Sequence, residues 1–263
     1  MWLYGRPDHT QRSYRATATR LLADCRCTLL ELTLSLLVDW AQKLNGKPST
    51  RLQRLASIKS LLRFGHETGY LPVNLGRALR LPKAPSHLSS RILTEAQVQK
   101  ALALETDPRN RALLLLLYAG GLRVAELCAL QVGDLHEWRD TGSLTVLGKG
   151  DQVRTILLPV SVWLTLRALA EQRDREAPLF PSRTGKPLDP TRTRRIVLAA
   201  TQRAGIPGRV SPHWLRHAHA SHALDRGCPL PLVRDTLGHR CVSTTSRYLH
   251  ARPDDSSANY LAV

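Results

Sequence analysis

Several side chains near the C-terminal end of the sequence have the types and spacing needed for chemistry on a phosphate group. Ser211-Pro212 predicts the start of a helix, with serine as its cap and proline at its first position. His213, Arg216 and His217 follow at helical spacing, so we expect them to share one face. Because a helix N-terminus attracts anions, an arginine and a histidine at that end predict a phosphate-binding site.

The same region supplies another imidazole and a phenol. Gly238 predicts a left-handed residue that ends a helix, and His239 follows it directly. Ser243 predicts the cap of a last short helix over residues 243–250, which carries Tyr248. The region therefore combines a guanidinium, several imidazoles and a phenolic hydroxyl.

The composition indicates a polyanionic partner. The chain has 263 residues, enough for one large domain or two ordinary ones, and its formal net charge is +17. The excess is spread along the chain, since residues 1–85 alone hold fourteen basic and five acidic side chains. Basic charge distributed over folded segments favours a nucleic-acid partner, and the alternative is a set of solvated basic faces with no such role.

Other classes of protein are disfavoured. The sequence has no run of about 18 apolar residues, as a transmembrane helix requires, and its start lacks the pattern of a signal peptide, so we expect a cytoplasmic protein without membrane contact. Five scattered cysteines predict free thiols. The clustered histidines share their helix with Arg216, whose charge repels a dication, so we expect neither a metal site nor a cofactor.

The sequence pattern of the first ninety residues separates an N-terminal helical domain from the rest of the chain. Helical spacing of apolar residues over 8–24, 28–44 and 49–66 predicts a small basic helical unit. Pro82 and Pro85, with the lysine and serine beside them, predict an extended linker. The expected divisions are a helical domain over 1–82, a linker over 83–88 and a second domain over 89–263 that ends in a short tail.

An arginine at the start of a helix in the second domain is a further candidate. Gly120-Gly121 breaks a strongly apolar helix, and Arg123 lies in the first turn of the next one, three residues before Glu126. An ordinary surface ion pair, worth about 0–1 kcal/mol, is one interpretation. The double glycine favours the other, because it lets a backbone or a phosphate come close to the guanidinium.

A change to a two-residue period predicts a small sheet. Residues 143–147 and 154–158 read as strands around a turn that has Lys149 at its tip, and residues 135–138 suggest a third strand. Taken alone, a turn lysine is usually solvated and has no further role. The rest of the chain is predicted to be helical, so the fold class is mainly α with a small β-hairpin sheet (α+β). The remaining predicted helices cover residues 160–175, 190–204, 212–226, 229–237 and 243–250.

Five boxes taken together resemble one family. GGLRVAEL, LGKG, HWLRH, LGH and TTSRYLH are similar in type and order to the boxes of the tyrosine recombinases, the phage-integrase and Xer-like family, and the similarity extends over almost the full length. It implies a helical core-binding domain followed by a catalytic domain. The matching catalytic positions are Arg123, Lys149, His213, Arg216, His239 and Tyr248, and the supporting positions are Glu126, His217 and Asp134.

The resemblance also implies the reaction. It predicts a site-specific recombinase that cleaves and rejoins duplex DNA through a covalent 3′-phosphotyrosine, without metal or ATP. Tyr248 would be the nucleophile, the two arginines and His239 would contact the phosphate oxygens, His213 would accept the tyrosine proton and Lys149 would protonate the departing 5′ oxygen. The expected partners are double-stranded DNA and three further recombinase subunits, identical or from a second recombinase, in a tetramer on two DNA sites with the tail from Asp254 as the exchange element.

Three other interpretations fit parts of the sequence. A type IB topoisomerase uses similar residues, a non-catalytic DNA-binding protein could retain the fold, and a basic helical RNA-binding protein would account for the charge. The full catalytic set and the small basic N-terminal unit favour the recombinase. Trp214, where a smaller residue is common, and Leu75, where a proline is usual, depart from the family pattern.

Overall fold

The structure is a computed structural model, and it describes residues 1–82, 88–148, 152–239, 241–246 and 248. The chain divides into two compact units, Met1–Ser86 and His87–Val263. In the described residues, the regular structure consists of helices and one three-stranded antiparallel sheet, which confirms the predicted fold class. Lys149, nearly all of the expected linker and the tail from Asp254 lie outside the described residues.

The N-terminal unit is helical. Buried Leu21, Leu37, Ile58 and Leu62 form the centre of its core. Its elements are α1 (Asp8–Cys25), α2 (Leu34–Lys43), α3 (Pro48–Glu67) and a 3₁₀ turn (Leu75–Ala78).

Two of its helices begin where the predictions did not place them. The leucine pattern predicted a helix from residue 28, but α2 begins at Leu34, because Thr33 caps it by accepting the Leu36 N–H. Before that point, the Glu31 carboxylate accepts the backbone N–H and the hydroxyl of Thr28, which fixes a turn. The next helix was expected to be capped by Ser49, but Lys47 occupies the cap position and Pro48 its first turn.

The second unit surrounds the apolar helix α5. Leu113, Leu116 and Leu117 of that helix are fully buried, and α5 packs against α7 and α9. The elements are α4 (Glu95–Ala103), α5 (Pro108–Ala119), α6 (Val124–Ala129), β1 (Leu135–Trp138), β2 (Thr141–Leu147), β3 (Val153–Leu158), α7 (Val160–Ala170), α8 (Pro190–Arg203), α9 (Pro212–Asp225), α10 (Leu230–Leu237) and α11 (Val242–Ser246), with 3₁₀ turns at Ser89–Arg91 and Val132–Asp134.

Local sequence explains several helix boundaries in this unit. Thr94 and Gln97 form the predicted capping box at the start of α4. α7 ends at Ala170 rather than at residue 175, because Glu171 is extended and Gln172 has a positive φ. α11 ends at Ser246, so Tyr248 lies in the turn beyond it instead of within the predicted helix. Among the described helices, none is long and apolar enough to cross a membrane.

The sheet packs one face against α7. Its strand order is β1-β2-β3, and Leu144 on β2 pairs with Ile156 on β3, with both side chains buried. Gly142 lies under the ring of Trp163, and a Cβ at that position would be 2.1 Å from the ring atom Cε3. The strand therefore needs a glycine there so that the indole can lie on the sheet.

We predict that Gly142→Ala lowers the free energy of unfolding by about 1–3 kcal/mol, since the added methyl group overpacks the contact with Trp163. Urea unfolding followed by circular dichroism measures the change. The same substitution in a Trp163→Leu background should cost less, because the ring is absent. Equal costs in the two backgrounds would mean that the ring contact is not responsible.

Candidate active site

Three arginines bind the C-terminal end of α10. The last carbonyls of a helix have no partner within the helix and carry a partial negative charge, so they attract cations. Each of three successive carbonyls here accepts a hydrogen bond from a different guanidinium. The pairs are Arg154 Nε to Thr236 O at 2.9 Å, Arg216 Nη2 to Leu237 O at 2.6 Å and Arg123 Nη2 to Gly238 O at 3.1 Å.

Gly238 allows the three arginines to approach. It adopts the predicted left-handed conformation, with φ +63°. A Cβ there would also lie 3.1 Å from Nη1 of Arg154, so the guanidinium occupies space that a side chain would need. The glycine ends α10 and directs the chain to His239.

A buried carboxylate joins two of the arginines. Glu126 is only 6% exposed. Its Oε1 accepts Nη1 of Arg123 at 2.7 Å and Nη1 of Arg154 at 3.1 Å, and its Oε2 accepts the backbone N–H of Arg123 and Nη2 of Arg154, both at 2.8 Å. This burial is inconsistent with an ordinary surface ion pair between Arg123 and Glu126. Burial alone would raise the pKa of Glu126, but the hydrogen bonds from Arg154 and Arg123 outweigh it and hold that pKa below its ordinary value.

Arg216 is the most deeply buried of the three, at 4% exposed. Besides Leu237, it donates through Nη1 to the carbonyl of Gly121 at 2.5 Å. Gly121 has φ +57°, and a Cβ there would lie 2.7 Å from the Leu237 side chain. The double glycine of the sequence thus places a carbonyl against Arg216. Burial and the nearby Arg123 lower the pKa of Arg216 to about 10, so it stays protonated at neutral pH.

A histidine outside the predicted set supports the glycine turn. His219 lies on α9, and its Nδ1–H donates to the carbonyl of Tyr118 at 2.8 Å. Its ring also packs against Gly121, 3.0 Å from the position a Cβ would take. Burial lowers the pKa of His219 to about 4, so the ring is neutral and acts by packing and by one hydrogen bond.

Tyr248 is buried and its hydroxyl contacts His217. The side chain is 6% exposed, and its Oη lies 2.7 Å from Nδ1 of His217. The family resemblance predicts that His213 accepts the tyrosine proton and that His217 has a supporting role. His213 lies one helical turn earlier, is exposed, and has its ring centroid 6.5 Å from that of His217.

Ser211 occupies the cap position of α9, but its side chain makes no capping hydrogen bond, so that detail of the prediction was wrong.

His239 is held close to the arginines. Its Nδ1 lies 2.9 Å from Oγ1 of Thr245, a fully buried residue of α11. Burial, followed by the positive charges of Arg216 and Arg123, lowers the pKa of His239 to about 4. The ring is therefore neutral at pH 7. A neutral imidazole has a single N–H, which can donate a hydrogen bond to a phosphate oxygen.

The structure brings most of the predicted residues together. Arg123 and His239 line an open cleft of about 640 Å³, together with Arg154 and the hairpin residues Gly148 and Gln152. Lys149, between those two hairpin residues, lies outside the described part of the chain.

Asp134 is not part of this cluster. Its carboxylate accepts the Gln131 N–H at 2.8 Å and holds the turn before β1. Within the described residues, no group of three or more histidine, cysteine, aspartate or glutamate side chains is placed to hold a metal ion.

The sequence does not single out Arg154 as a site residue, because its pattern predicts only the first residue of a strand there. The signal available was one arginine in the otherwise uncharged strand Val153–Leu158. That signal is weak, since strands often carry a solvated charge. Its contacts with Glu126 and α10 join residues 28 and 82 positions away, which only the tertiary fold reveals.

Comparison with known proteins identifies the family. Residues 91–254 match the Phage integrase family. The chain is also 35% identical over 272 residues to the tyrosine recombinase XerC of Mycobacterium sp. (strain KMS), an alignment that covers 94% of this chain and 89% of that protein. The XerC of Corynebacterium efficiens is 36% identical, with 94% and 82% covered. The chain therefore belongs to the phage integrase family. Within it, the chain is a site-specific recombinase of the tyrosine class.

Solved structures agree on the fold. A crystal structure of XerA recombinase is 25% identical with a TM-score of 0.55, covering 97% of this chain and 90% of that one. A lambda integrase dimer bound to a COC′ core site is 20% identical with a TM-score of 0.76, covering 96% and 74%. XerH bound to difH in a pre-cleavage complex is 20% identical with a TM-score of 0.71, covering 95% and 77%.

We predict that Glu126→Gln lowers the free energy of unfolding at pH 7 by about 3–5 kcal/mol, because two guanidiniums lose their buried anion. Since the folded pKa of Glu126 lies below the unfolded value of about 4.3, its contribution is complete above that pH and disappears as pH falls through the folded pKa. The gap between wild type and variant should therefore narrow below about pH 4.

Urea unfolding measured from pH 7 down to the acid limit of folding tests this. Asp134→Asn is a matched control, because it alters a carboxylate that caps a turn without contacting an arginine of the site. A gap that stays constant as the pH falls would contradict the assignment of the charge to Glu126.

Proposed function

We propose that this chain cleaves and rejoins duplex DNA through a covalent bond between Tyr248 and a 3′ phosphate. One observation carries the proposal: the end of α10 gathers three guanidiniums and leads to an imidazole, and the Tyr248 hydroxyl is held by His217, the residue next to Arg216 on α9. A nucleophile beside fixed cationic donors is the arrangement that phosphoryl transfer requires.

The arginines are the groups that would stabilise the transition state. A guanidinium has five N–H donors, and the contacts described for Arg123 and Arg216 use two nitrogens of each. The remaining donors can contact the non-bridging oxygens as phosphorus becomes five-coordinate. Because carbonyls and Glu126 already hold both side chains, little reorganisation is needed when the phosphate arrives. His239 would add a further contact to the same phosphate.

The tyrosine proton has two candidate acceptors. A phenol with an ordinary pKa of about 10 needs a base at neutral pH. We propose His213, as the resemblance implies. Although part of its side chain is exposed, burial of the rest and the charge of Arg216 lower its pKa, so the ring is neutral at pH 7 and able to accept a proton. The 2.7 Å contact with Tyr248 makes His217 the second candidate, and in the absence of DNA it holds the hydroxyl.

The other parts of the reaction follow from the family. We propose that Lys149 protonates the departing 5′ oxygen, since the flanking residues Gly148 and Gln152 line the cleft. One phosphodiester is exchanged for another of similar energy, so ATP is not required. With charge supplied by the arginines, we also propose that the reaction needs no metal ion or cofactor.

DNA is the proposed partner of both domains. Related structures hold DNA: a lambda integrase on a core site, XerH on difH, and a Tn1549 transposon integrase with circular intermediate DNA. We propose that residues 1–82 form a core DNA-binding domain and residues 89–263 the catalytic domain. The net charge of +17 supports contacts with phosphates, which position a protein without reading sequence. A tetramer on two sites, identical or with a second recombinase, completes the proposal.

We predict that Tyr248→Phe abolishes a covalent protein–DNA adduct that wild type forms in EDTA, because the variant lacks the attacking oxygen. Supercoiled DNA carrying the sequence around the gene is incubated with each protein, quenched in detergent and separated on a gel. A protease-sensitive adduct from wild type alone is the expected result. Adduct from both proteins would exclude Tyr248 as the nucleophile, and dependence on added metal would exclude the metal-free reaction.

We predict that His213→Asn slows single-turnover cleavage by about 100-fold or more, the usual contribution of a general base, and that His217→Asn slows it less. The wild-type rate at subsaturating DNA, which reports the free protein, should rise with pH and reach half of its plateau below the ordinary imidazole pKa of about 6.5, because a base acts when neutral and the pKa of His213 is lowered. The His213 variant should instead keep rising towards the pKa of tyrosine.

The exposed His136 on β1 provides a control, since His136→Asn removes an imidazole from an outer strand that β2 separates from β3. If the His217 variant shows the larger loss and the altered pH profile, the proton acceptor is His217.

A further inference from the structure

We propose that Arg154 is a positioning residue of the active site, which acts by holding Glu126 and the end of α10 so that Arg123 can meet the phosphate. The proposal rests on the proposed function and adds a residue to its site. Arg154 comes from β3, and its side chain is only 13% exposed. It donates to both oxygens of Glu126 on α6 and to the Thr236 carbonyl on α10.

The contacts fix three elements relative to one another. Two parallel hydrogen bonds to a carboxylate set its plane as well as its position. With that plane set, each oxygen of Glu126 is also available to Arg123, one to its side chain and the other to its backbone N–H. The third bond, to Thr236, ties the same guanidinium to the helix end that holds Arg123 and Arg216. Arg154 thus links the two supports of Arg123.

The charge balance gives Arg154 a second effect. Glu126 is a buried anion shared by two guanidiniums, so the group of three keeps one net positive charge. Without Arg154, the whole carboxylate charge would fall on Arg123 and offset the charge that a phosphate is meant to meet. The expected loss is therefore in the rate of the chemical step more than in DNA affinity.

A lysine cannot replace this arginine. Its ammonium is a single point of charge, whereas the contacts of Arg154 spread over two carboxylate oxygens and a carbonyl. Arg154→Lys keeps the charge and loses the fork, and Arg154→Gln loses both. The two variants therefore separate the geometric effect from the electrostatic one.

A purely structural role is the alternative, and the chain offers a matched control for it. Arg203 pairs with Glu105, another buried carboxylate of the same unit. Arg203→Gln also deprives a buried carboxylate of its arginine, but neither Arg203 nor Glu105 lines the cleft. If loss of stability alone slowed the reaction, both glutamine variants would be affected alike.

The kinetic test uses a duplex selected from a randomised DNA library by its binding to the wild-type protein. The cleaved position is mapped from the covalent adduct that wild type forms on it. The duplex is made with an ordinary phosphodiester and with a methylphosphonate at that position. The methylphosphonate is uncharged, so its cleavage depends less on the positive charge of a guanidinium. Arg154→Gln should slow adduct formation on the phosphodiester by about 100-fold, the effect expected of a displaced catalytic group. Arg154→Lys should recover only part of the loss, and Arg203→Gln should match wild type.

On the methylphosphonate, the rate deficit of Arg154→Gln relative to wild type should be smaller, because the uncharged phosphonate depends less on the positive charge of Arg123. Equal rates for the Arg154 and Arg203 variants on the phosphodiester would overturn the proposal, and so would a deficit of the same size on both substrates.

A crystal structure of Arg154→Gln without DNA decides the geometry separately. The Arg123 guanidinium should leave its positions 2.7 Å from Glu126 Oε1 and 3.1 Å from the Gly238 carbonyl. If both contacts persist, Arg154 does not position Arg123. If wild type forms no adduct on any selected duplex, the proposed function fails, and the crystal structure still decides the positioning claim.

Discussion

The site depends on the attraction between the C-terminal end of α10 and three guanidiniums. Three positive groups this close repel one another, and burial strengthens the repulsion. Three unpaired carbonyls at the negative end of a helix dipole, together with the buried Glu126, offset it. The donors are consequently fixed before a phosphate arrives, and fixed donors contribute most to stabilising charge that develops in a transition state.

The same positive charge sets the protonation of its neighbours. The pKa of His239 falls to about 4 and that of Arg216 to about 10, through burial and through the charges of the arginines. In the proposed complex, a bound phosphate would bring negative charge to this cluster and shift both pKa values back upwards. His239 therefore gains affinity for a proton when a phosphate is present, so the ring becomes a stronger donor in the complex than in the free protein. The histidine and the phosphate are thermodynamically linked, each favouring the other.

Local sequence predicted much of the fold and several of the residues that lie together at the end of α10. The Thr94 capping box and the left-handed Gly238 follow from short-range chemistry, and both are present. Contacts between distant segments could not be predicted in this way. Helical spacing places His217 on a shared face, but it does not tell which ring meets a tyrosine 31 residues later. The role of Arg154 likewise depends on a carboxylate and a carbonyl from two other elements. The leucine pattern before Leu34 misled, because a capping threonine outweighs apolar periodicity.

The buried network around Glu126 is costly to fold and is explained by the chemistry. Well-packed apolar residues in its place would often be as stable, since desolvating a carboxylate and guanidiniums offsets much of their attraction. In the proposed exchange of phosphodiesters, the barrier is lowered by charge placed around the phosphorus atom. A polar network with every oxygen of Glu126 occupied keeps Arg123 in one orientation, which an apolar core cannot do. The Glu126 carboxylate therefore affects both the stability of the fold and the orientation of Arg123.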